Sequence, residues 1–400
     1  MTFPNKSTWL AGALAAPLTG IIALGLAAEP GAQSDVAGHV PAQAEQAQRA
    51  PVRDSRSPRA VDWWSPGEGR VFAEYSTYSN DVGELGVLLQ GGALATRGHP
   101  FFEPIGTNGR ACVTCHQPGN GMSLSVHSIQ ERWRETGGKD PLFAAVDGAN
   151  CPNLPAADPA SHSLLLERGL IRVFLPWPPK SADGSTIDPE FTLEVVRDPT
   201  GCNTSPQYGL RSANPMVSVY RRPRVVANTK YVTHQGFGVG LFVGKNGTPS
   251  AHDPETGKPV GMNLMSDARQ PTLRTQAVEA AIGHLQAQKP PTAAQLEQIT
   301  GFERRVYAAQ VARDGAGSLV EADGPPAFGP RNLEHDEAGV LGNNTTRFVF
   351  PMGEAWTAPQ PADVAAMRAS IRRGHDVFFF RTFWIRDSMH LNTVGLGNPT

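Results

Sequence analysis

The chain has 400 residues and a formal net charge of −2 at pH 7. This near-neutral charge gives a nucleic acid or an anionic membrane surface little electrostatic reason to bind, so we predict no nucleic-acid partner. The 42 glycines and 35 prolines lie well above the roughly 12% of an average protein. They favour short helices and long loops, as in proteins that wrap coil around a large bound group.

The N-terminal 28 residues have the pattern of an export signal. Lys6 supplies a positive charge, and an uncharged, mostly apolar run from Trp9 to Ala28 follows it. An uncleaved membrane anchor is the alternative, because the run approaches the ~20 residues that cross a bilayer. Both interpretations predict an exported, periplasmic protein that meets a membrane only through such an anchor. Residues 29–60 are rich in Ala, Gln, Pro and Ser and predict a disordered linker.

The most specific pattern is a pair of cysteines three positions apart with a histidine directly after them, Cys112-Val113-Thr114-Cys115-His116. Each thiol can form a thioether bond to a vinyl group of haem, and the imidazole can then bind the iron. We therefore predict one haem c held by Cys112, Cys115 and His116, with His116 as the proximal ligand. A reactive dithiol or half of a zinc site is the alternative.

Residues from about 141 to 231 form a proline-rich stretch that we predict to be an insertion with minor β structure, strands falling at 170–175 and 191–196. It contains the two remaining cysteines, Cys151 and Cys202. An oxidising compartment would allow them to pair. The sequence leaves open whether they do, because it does not give the distance between their Cα atoms.

Helical patterns become clear after residue 270. A helix is predicted over 275–288, and small residues on one face lead to His284: Ala277, Ala280 and Ala281. Such a face could lie against a haem plane and present His284 to the iron. Alternatively, the alanines allow close helix packing and His284 makes an ordinary polar contact. Two more helices are predicted, one opened by a capping box at 292–295 and one from Asp363 to Arg373, ended by Gly374.

Other histidines and methionines are weaker candidates for the sixth iron ligand. Three lie too close to the motif in sequence to reach the opposite face of a haem: His99, Met122 and His127. Five more distant ones lack a neighbouring row of small residues: His162, Met216, His234, Met262 and Met265. We therefore predict coordination by His116 and His284.

Four segments together resemble the bacterial di-haem cytochrome c peroxidases and their relatives of the methylamine-utilisation type. They are residues 98–102 with 112–119, the Arg222–Asn228 segment, residues 267–277, and residues 373–383. The resemblance implies a mainly α fold with long loops, built of cytochrome c-like haem domains. The first domain would cover 61–315 and a second would start at 355–400, a truncated start that stops before its own haem motif. A second haem after residue 400 and calcium between the domains are also implied.

Function is predicted from the same resemblance. We expect an exported c-type cytochrome that transfers electrons to or from a small redox protein or the quinol chain. Haem-dependent reduction of hydrogen peroxide, or a related oxidase or oxygenase activity, is the alternative. The catalytic residues are not predicted, because Glu279 and His284 stand where such peroxidases place a distal glutamate and methionine. An iron bound by both His116 and His284 would suit electron transfer better than peroxide chemistry.

Overall fold

The structure is a computed structural model that describes residues 62–180, 184–233, 242–243, 249–250, 264–266, 270, 272–325, 328–334 and 355–381. The predicted export signal and linker at 1–60 and the end of the predicted second domain lie outside the described residues. Every described residue belongs to one compact unit, Ser57–Thr400. The division at 315 and 355 stays a prediction. Within the described residues, no helix has the length and apolar character that crossing a bilayer requires.

Groups of strands and groups of helices follow one another along the described residues. The strands are β1 (Val71–Phe72), β2 (Tyr75–Asn80), β3 (Gly83–Leu89), β4 (Leu94–Ala95), β5 (Ile171–Pro176), β6 (Met216–Arg221), β7 (Phe242–Val243), β8 (Pro249–Ser250), β9 (Val306–Arg313) and β10 (Gly317–Ser318). The α-helices are α1 (Val126–Thr136), α2 (Ser163–Arg168), α3 (Thr229–Thr233), α4 (Leu273–Gly283), α5 (Ala293–Arg305), α6 (Pro330–Glu334) and α7 (Ala362–Phe380).

The prediction of a mainly α, cytochrome c-like fold is wrong. The largest sheet is antiparallel with four strands in the order β10-β9-β3-β2, and it lies outside the stretch in which β structure was expected. Two-stranded sheets pair β1 with β4, β5 with β6 and β7 with β8. Helices and sheets therefore share the described part of the chain.

The four-stranded sheet has identifiable local causes. Strand β2 carries Tyr, Thr and Ser, and a two-residue turn, in which the Asn80 side chain accepts a hydrogen bond from the Val82 amide at 3.1 Å, leads into β3. The last four residues of β3 are buried, and Leu88 pairs with Tyr307 of β9. That pairing joins segments about two hundred positions apart, so local periodicity could not indicate it. Val306 directly follows α5 and begins β9, where its β-branched side chain is well suited.

An aromatic cluster joins α5 to the segment that leads to the cysteine motif. Phe302 of α5 lies 4.6 Å from Phe101 and 5.3 Å from Phe72, measured between ring centroids. Phe72 also packs edge-on against Trp64 at 5.5 Å. All four are buried, and each aromatic ring removes a large apolar area from water. This packing fixes α5 against the approach to Cys112.

The proline-rich stretch contains one β-ribbon. Strand β5 matches the strand predicted at 170–175, and its antiparallel partner is β6. The second predicted strand, at 191–196, is wrong: that segment is irregular and largely exposed. Cys151 and Cys202 form a disulfide with their Cα atoms 5.3 Å apart. Closing a loop of this size stabilises a folded chain by typically about 2–4 kcal/mol.

Helix ends follow capping chemistry at two of the three predicted helices. Thr272 caps α4, which ends at Gly283 rather than at 288, so His284 is the first residue after the helix. Thr292 and Gln295 cap α5 as predicted. Helix α7 continues through Gly374, where the sequence predicted its end. A glycine inside a helix costs roughly 1 kcal/mol relative to alanine, which packing elsewhere in the helix can offset.

Helix α7 packs on the loop that follows β9. Met367 and Ile371 lie against a small cluster that includes Leu319 and Trp356. The Arg368 guanidinium donates to the Ala316 carbonyl at 2.9 Å. These contacts place the start of the predicted second domain against the same body as β9.

Candidate functional site

The cysteine motif forms a single 3₁₀ turn, Cys112–Thr114. The Cys115 and His116 amides both donate to the Cys112 carbonyl, at 3.2 and 3.1 Å, and the Val113 amide donates to the Phe101 carbonyl at 3.1 Å. The turn is thereby fixed to the aromatic cluster. The two thiols are free and line one cavity of about 850 Å³.

The cavity wall is mostly apolar and comes from distant parts of the sequence. The turn at 112–116 supplies one side, α4 and α5 supply another, and the Arg221–Thr229 segment supplies a third. Ala277 and Ala280 of α4 both face the cavity. Ala281, the third alanine of the predicted stripe, is buried beside Leu285 instead. Two of the three alanines of the predicted stripe therefore line the cavity, and the third packs inside the protein.

A backbone contact fixes the His116 ring through its Nδ1 atom. Its Nδ1 lies 3.1 Å from the Met122 carbonyl oxygen. A carbonyl only accepts, so in the neutral ring this contact places the proton on Nδ1 and the lone pair that a metal requires on Nε2. The Arg224 backbone is a second hydrogen-bond partner of the ring. Burial lowers the pKa of His116 to about 4. The imidazole is therefore neutral near pH 7, as a metal ligand must be.

His284 lines the same cavity. Its Nδ1 lies 2.6 Å from Oδ2 of Asp147, so this ring too is oriented by a hydrogen bond at Nδ1 and has Nε2 left as the nitrogen for a ligand. The carbonyl of His284 accepts from Asn108 at 2.8 Å and from Arg110 at 3.2 Å. Backbone and ring are both fixed. The structure thus brings together all four predicted site residues, Cys112, Cys115, His116 and His284.

Asp147 and Arg110 form an ion pair beneath His284. Both side chains are 1% exposed, and Arg110 also donates to the carbonyls of Pro141 and Leu142, each at 2.6 Å. Burial raises the pKa of the Asp147 carboxyl, but the charge of Arg110 and the hydrogen bond and charge of His284 outweigh that effect and hold the pKa below its ordinary value. The carboxylate is therefore ionised and accepts strongly from the His284 ring.

The surroundings of the two thiols raise their pKa values, whereas those of a reactive pair lower them. Burial raises the pKa of Cys115 to about 12 and raises that of Cys112 as well. Reactive dithiols depend on a lowered pKa that supplies thiolate at neutral pH. This environment disfavours the reactive-dithiol alternative.

Of the other candidate ligands that the structure describes, all but Met265 lie away from the cavity. Both ring nitrogens of His162 bind carbonyl oxygens, at 2.8 and 3.0 Å, His99 packs on Phe102 and Phe302, and His127 is exposed. Met122 is buried in the core outside the cavity wall, and Met216 belongs to β6. Met265 does line the cavity. His234 and Met262 lie outside the described residues.

Three residues of the site were missed from sequence: Arg110, Asp147 and Glu303. Arg110 stands next to the motif, and that adjacency was its only signal. Asp147 is 137 positions from the histidine that it contacts and lies in a loop with no periodic pattern. Glu303 lines the cavity although it is 3% exposed. On an amphipathic helix an acidic residue is normally expected on the solvent side, so no sequence pattern distinguished Glu303 from the other acids.

Two arginines stand at the cavity mouth. Arg222 and Arg224 are exposed and both line the cavity. Each is tethered to a backbone carbonyl, Arg222 to Arg168 at 2.6 Å and Arg224 to Met265 at 3.1 Å. Their charge would favour an anionic group at this edge of a bound molecule.

Among the described residues, no group of three or more His, Cys, Asp or Glu side chains could hold a metal ion. Calcium between the domains therefore stays a prediction. Comparison of the chain with protein-family models, with curated proteins and with solved structures gives no match.

Proposed function

We propose that this protein is an exported electron-transfer protein that holds one haem c through Cys112 and Cys115, with His116 and His284 as the iron ligands. The observation that carries the proposal is the convergence of these four residues on one cavity of about 850 Å³. Two thiols on one turn suit the two vinyl groups of haem, and a histidine directly after them suits the iron.

The wall of the cavity fits the rest of the cofactor. Apolar side chains such as Leu273 and Ile299 suit the porphyrin, and Ala277 and Ala280 let a flat ring approach α4 closely. Arg222 and Arg224 at the mouth would bind the two propionate groups, because guanidinium pairs well with carboxylate. The haem would thus be fixed at its vinyl edge by covalent bonds and at its propionate edge by charge.

Bound haem would supply a reversible one-electron couple. The role of the chain is to fix the two imidazoles through their Nδ1 atoms, His116 at the Met122 carbonyl and His284 at Asp147, which leaves the Nε2 atoms to bind the iron. A hydrogen bond at Nδ1 fixes each ring and raises its basicity as a ligand. If His116 and His284 both bound the iron, the chain would leave peroxide no position on it. The Asp147–His284 contact therefore favours electron transfer over the peroxidase alternative.

The proposed partner is a small redox protein or a component of the quinol chain, because a one-electron carrier needs a donor and an acceptor that exchange single electrons. We propose a periplasmic location, since the motif and the N-terminal signal pattern independently indicate export. Kinship with the di-haem peroxidases rests on the four sequence segments alone.

We expect haem to remain on the chain after unfolding. The protein is expressed with a haem-attachment system, unfolded in denaturant and extracted with acidified solvent, and the absorbance left on the polypeptide is measured. The double variant Cys112→Ser/Cys115→Ser should lose essentially all of it. The matched control is Cys151→Ser/Cys202→Ser, which removes the other two cysteines and should keep it. Equal loss from all three proteins would mean that haem is not covalently bound at the motif.

A further inference from the structure

Glu303 is a buried acid that the proposed electron-transfer function does not use. It is 3% exposed, and its Oε2 atom has no hydrogen-bond partner. A buried carboxyl oxygen without a partner is costly and needs an explanation. Glu303 and Cys112 both line the cavity, and the pKa of Cys112 is raised by burial first and then by the charge of Glu303. The acid thus lies beside the thiol that would carry one haem vinyl group.

We propose that Glu303 is the proton-binding site that couples electron uptake by the haem to uptake of a proton from solvent. The inference rests on the proposed function, since it needs a haem in the cavity. One electron from a one-electron donor protein reduces the site and oxidises the donor, and one proton adds to the Glu303 carboxylate to form an O–H bond. When the electron leaves, that bond breaks and the proton returns to solvent.

The coupling follows from charge in a poorly polarisable site. Ionised Glu303 stabilises the more positive, oxidised haem, and an added electron removes that stabilisation. In a cavity walled by apolar side chains this interaction is screened far less than in water. A gain of one electron therefore raises the proton affinity of the carboxylate, and a lower pH makes reduction easier.

The surroundings of Glu303 raise its pKa into the range that the redox titration covers. Burial raises its pKa to about 8, against a smaller lowering by the charge of Arg304 on the same helix. Two helices pack against α5. The described ionisable side chains on them are Arg274 and Glu279 of α4 and Tyr231 of α3. The turn at 112–116 contributes Cys112, Cys115 and His116, and His99 packs on Phe302 of α5. The Thr229 hydroxyl of α3 donates to the backbone carbonyl of Glu303 at 2.5 Å. This hydrogen bond fixes the backbone and does not involve the Glu303 carboxyl group.

The test is a redox titration of the haem-loaded protein at a series of pH values. In the unmodified protein we expect the midpoint potential to fall as pH rises through the neutral and alkaline range, by up to about 59 mV for each tenfold drop in proton activity. Glu303→Gln should abolish this slope. Glu297→Gln, which changes an exposed glutamate of the same helix, should retain it.

Equal slopes in the unmodified protein and in Glu303→Gln would overturn the inference and assign the coupling to the propionates or to another acid. A potential independent of pH in the unmodified protein would overturn it as well. If the chain carries no haem, the proposed function itself fails, which the denaturation test detects separately.

Two further measurements test the inference even if Glu303→Gln does not bind haem. The first is the reduced-minus-oxidised infrared spectrum of the unmodified protein at pH 8, which should gain a protonated-carboxyl band; its absence overturns the inference. The second is the stability of the haem-free chain. The pKa of Glu303 is raised in the folded protein. Its contribution to the free energy of unfolding is therefore fully present below about pH 4 and is lost as pH rises towards 8. Glu303→Gln should lack that loss, and a loss unchanged in the variant would also count against the inference.

Discussion

Replacing His284 by glycine should convert the oxidised, haem-loaded protein from low spin to high spin. The imidazole is held by Asp147 at 2.6 Å and by its own backbone contacts, so the unmodified protein should have two strong nitrogen ligands at the iron. Removing one of them weakens the ligand field. Low-temperature electron paramagnetic resonance measures the change directly, and conversion should be essentially complete.

Added imidazole provides the matching rescue. The free ligand should enter the space left in His284→Gly and restore the low-spin signal, which a variant that merely misfolds would not allow. His127→Ala changes an exposed histidine and should leave the signal as it is. A high-spin signal already present in the unmodified protein would mean an open iron position and would favour peroxide chemistry instead.

The Asp147→Asn substitution should cause the largest loss of stability in the site. It leaves the Arg110 charge, 1% exposed, without its ionic partner, and breaking one side of a buried ion pair costs about 3–5 kcal/mol. The asparagine also has one acceptor oxygen in place of two, so Arg110 and His284 compete for it. The free energy of unfolding in denaturant measures the loss. Asp62→Asn, which changes a partly exposed ion pair with Arg70, should cost at most about 1 kcal/mol.

The same substitution should change how stability depends on pH. The pKa of Asp147 in the folded protein lies below its ordinary value. Its contribution is therefore present above the ordinary carboxyl range and is lost as pH falls below about 4. The difference in stability between the unmodified protein and Asp147→Asn should shrink in that acid window. A difference that stays constant from pH 7 to pH 3 would contradict the assignment of an ionised Asp147.

The sequence predicted which residues line the cavity better than it predicted the architecture around them. The motif at 112–116 and the small residues before His284 are local patterns, and the structure brings them to one cavity. Asp147, in contrast, meets His284 through a contact between distant loops. The pairing of β3 with β9 is likewise set by partners far apart in the chain, with Leu88 opposite Tyr307. The Tyr, Thr and Ser run and the short turn after it were a local signal for β2 and β3. The prediction of a mainly α fold, which followed from the family resemblance, did not include them.

The covalent attachment of haem to Cys112 and Cys115 is the central claim, and mass spectrometry of the purified, acid-denatured protein tests it most directly. We expect the intact mass to exceed that of the mature polypeptide by one haem, and fragmentation to assign the added mass to the peptide that contains residues 112–116. A polypeptide of unmodified mass, isolated from a host that attaches haem to its own c-type cytochromes and with both thiols open to alkylation, would contradict the account.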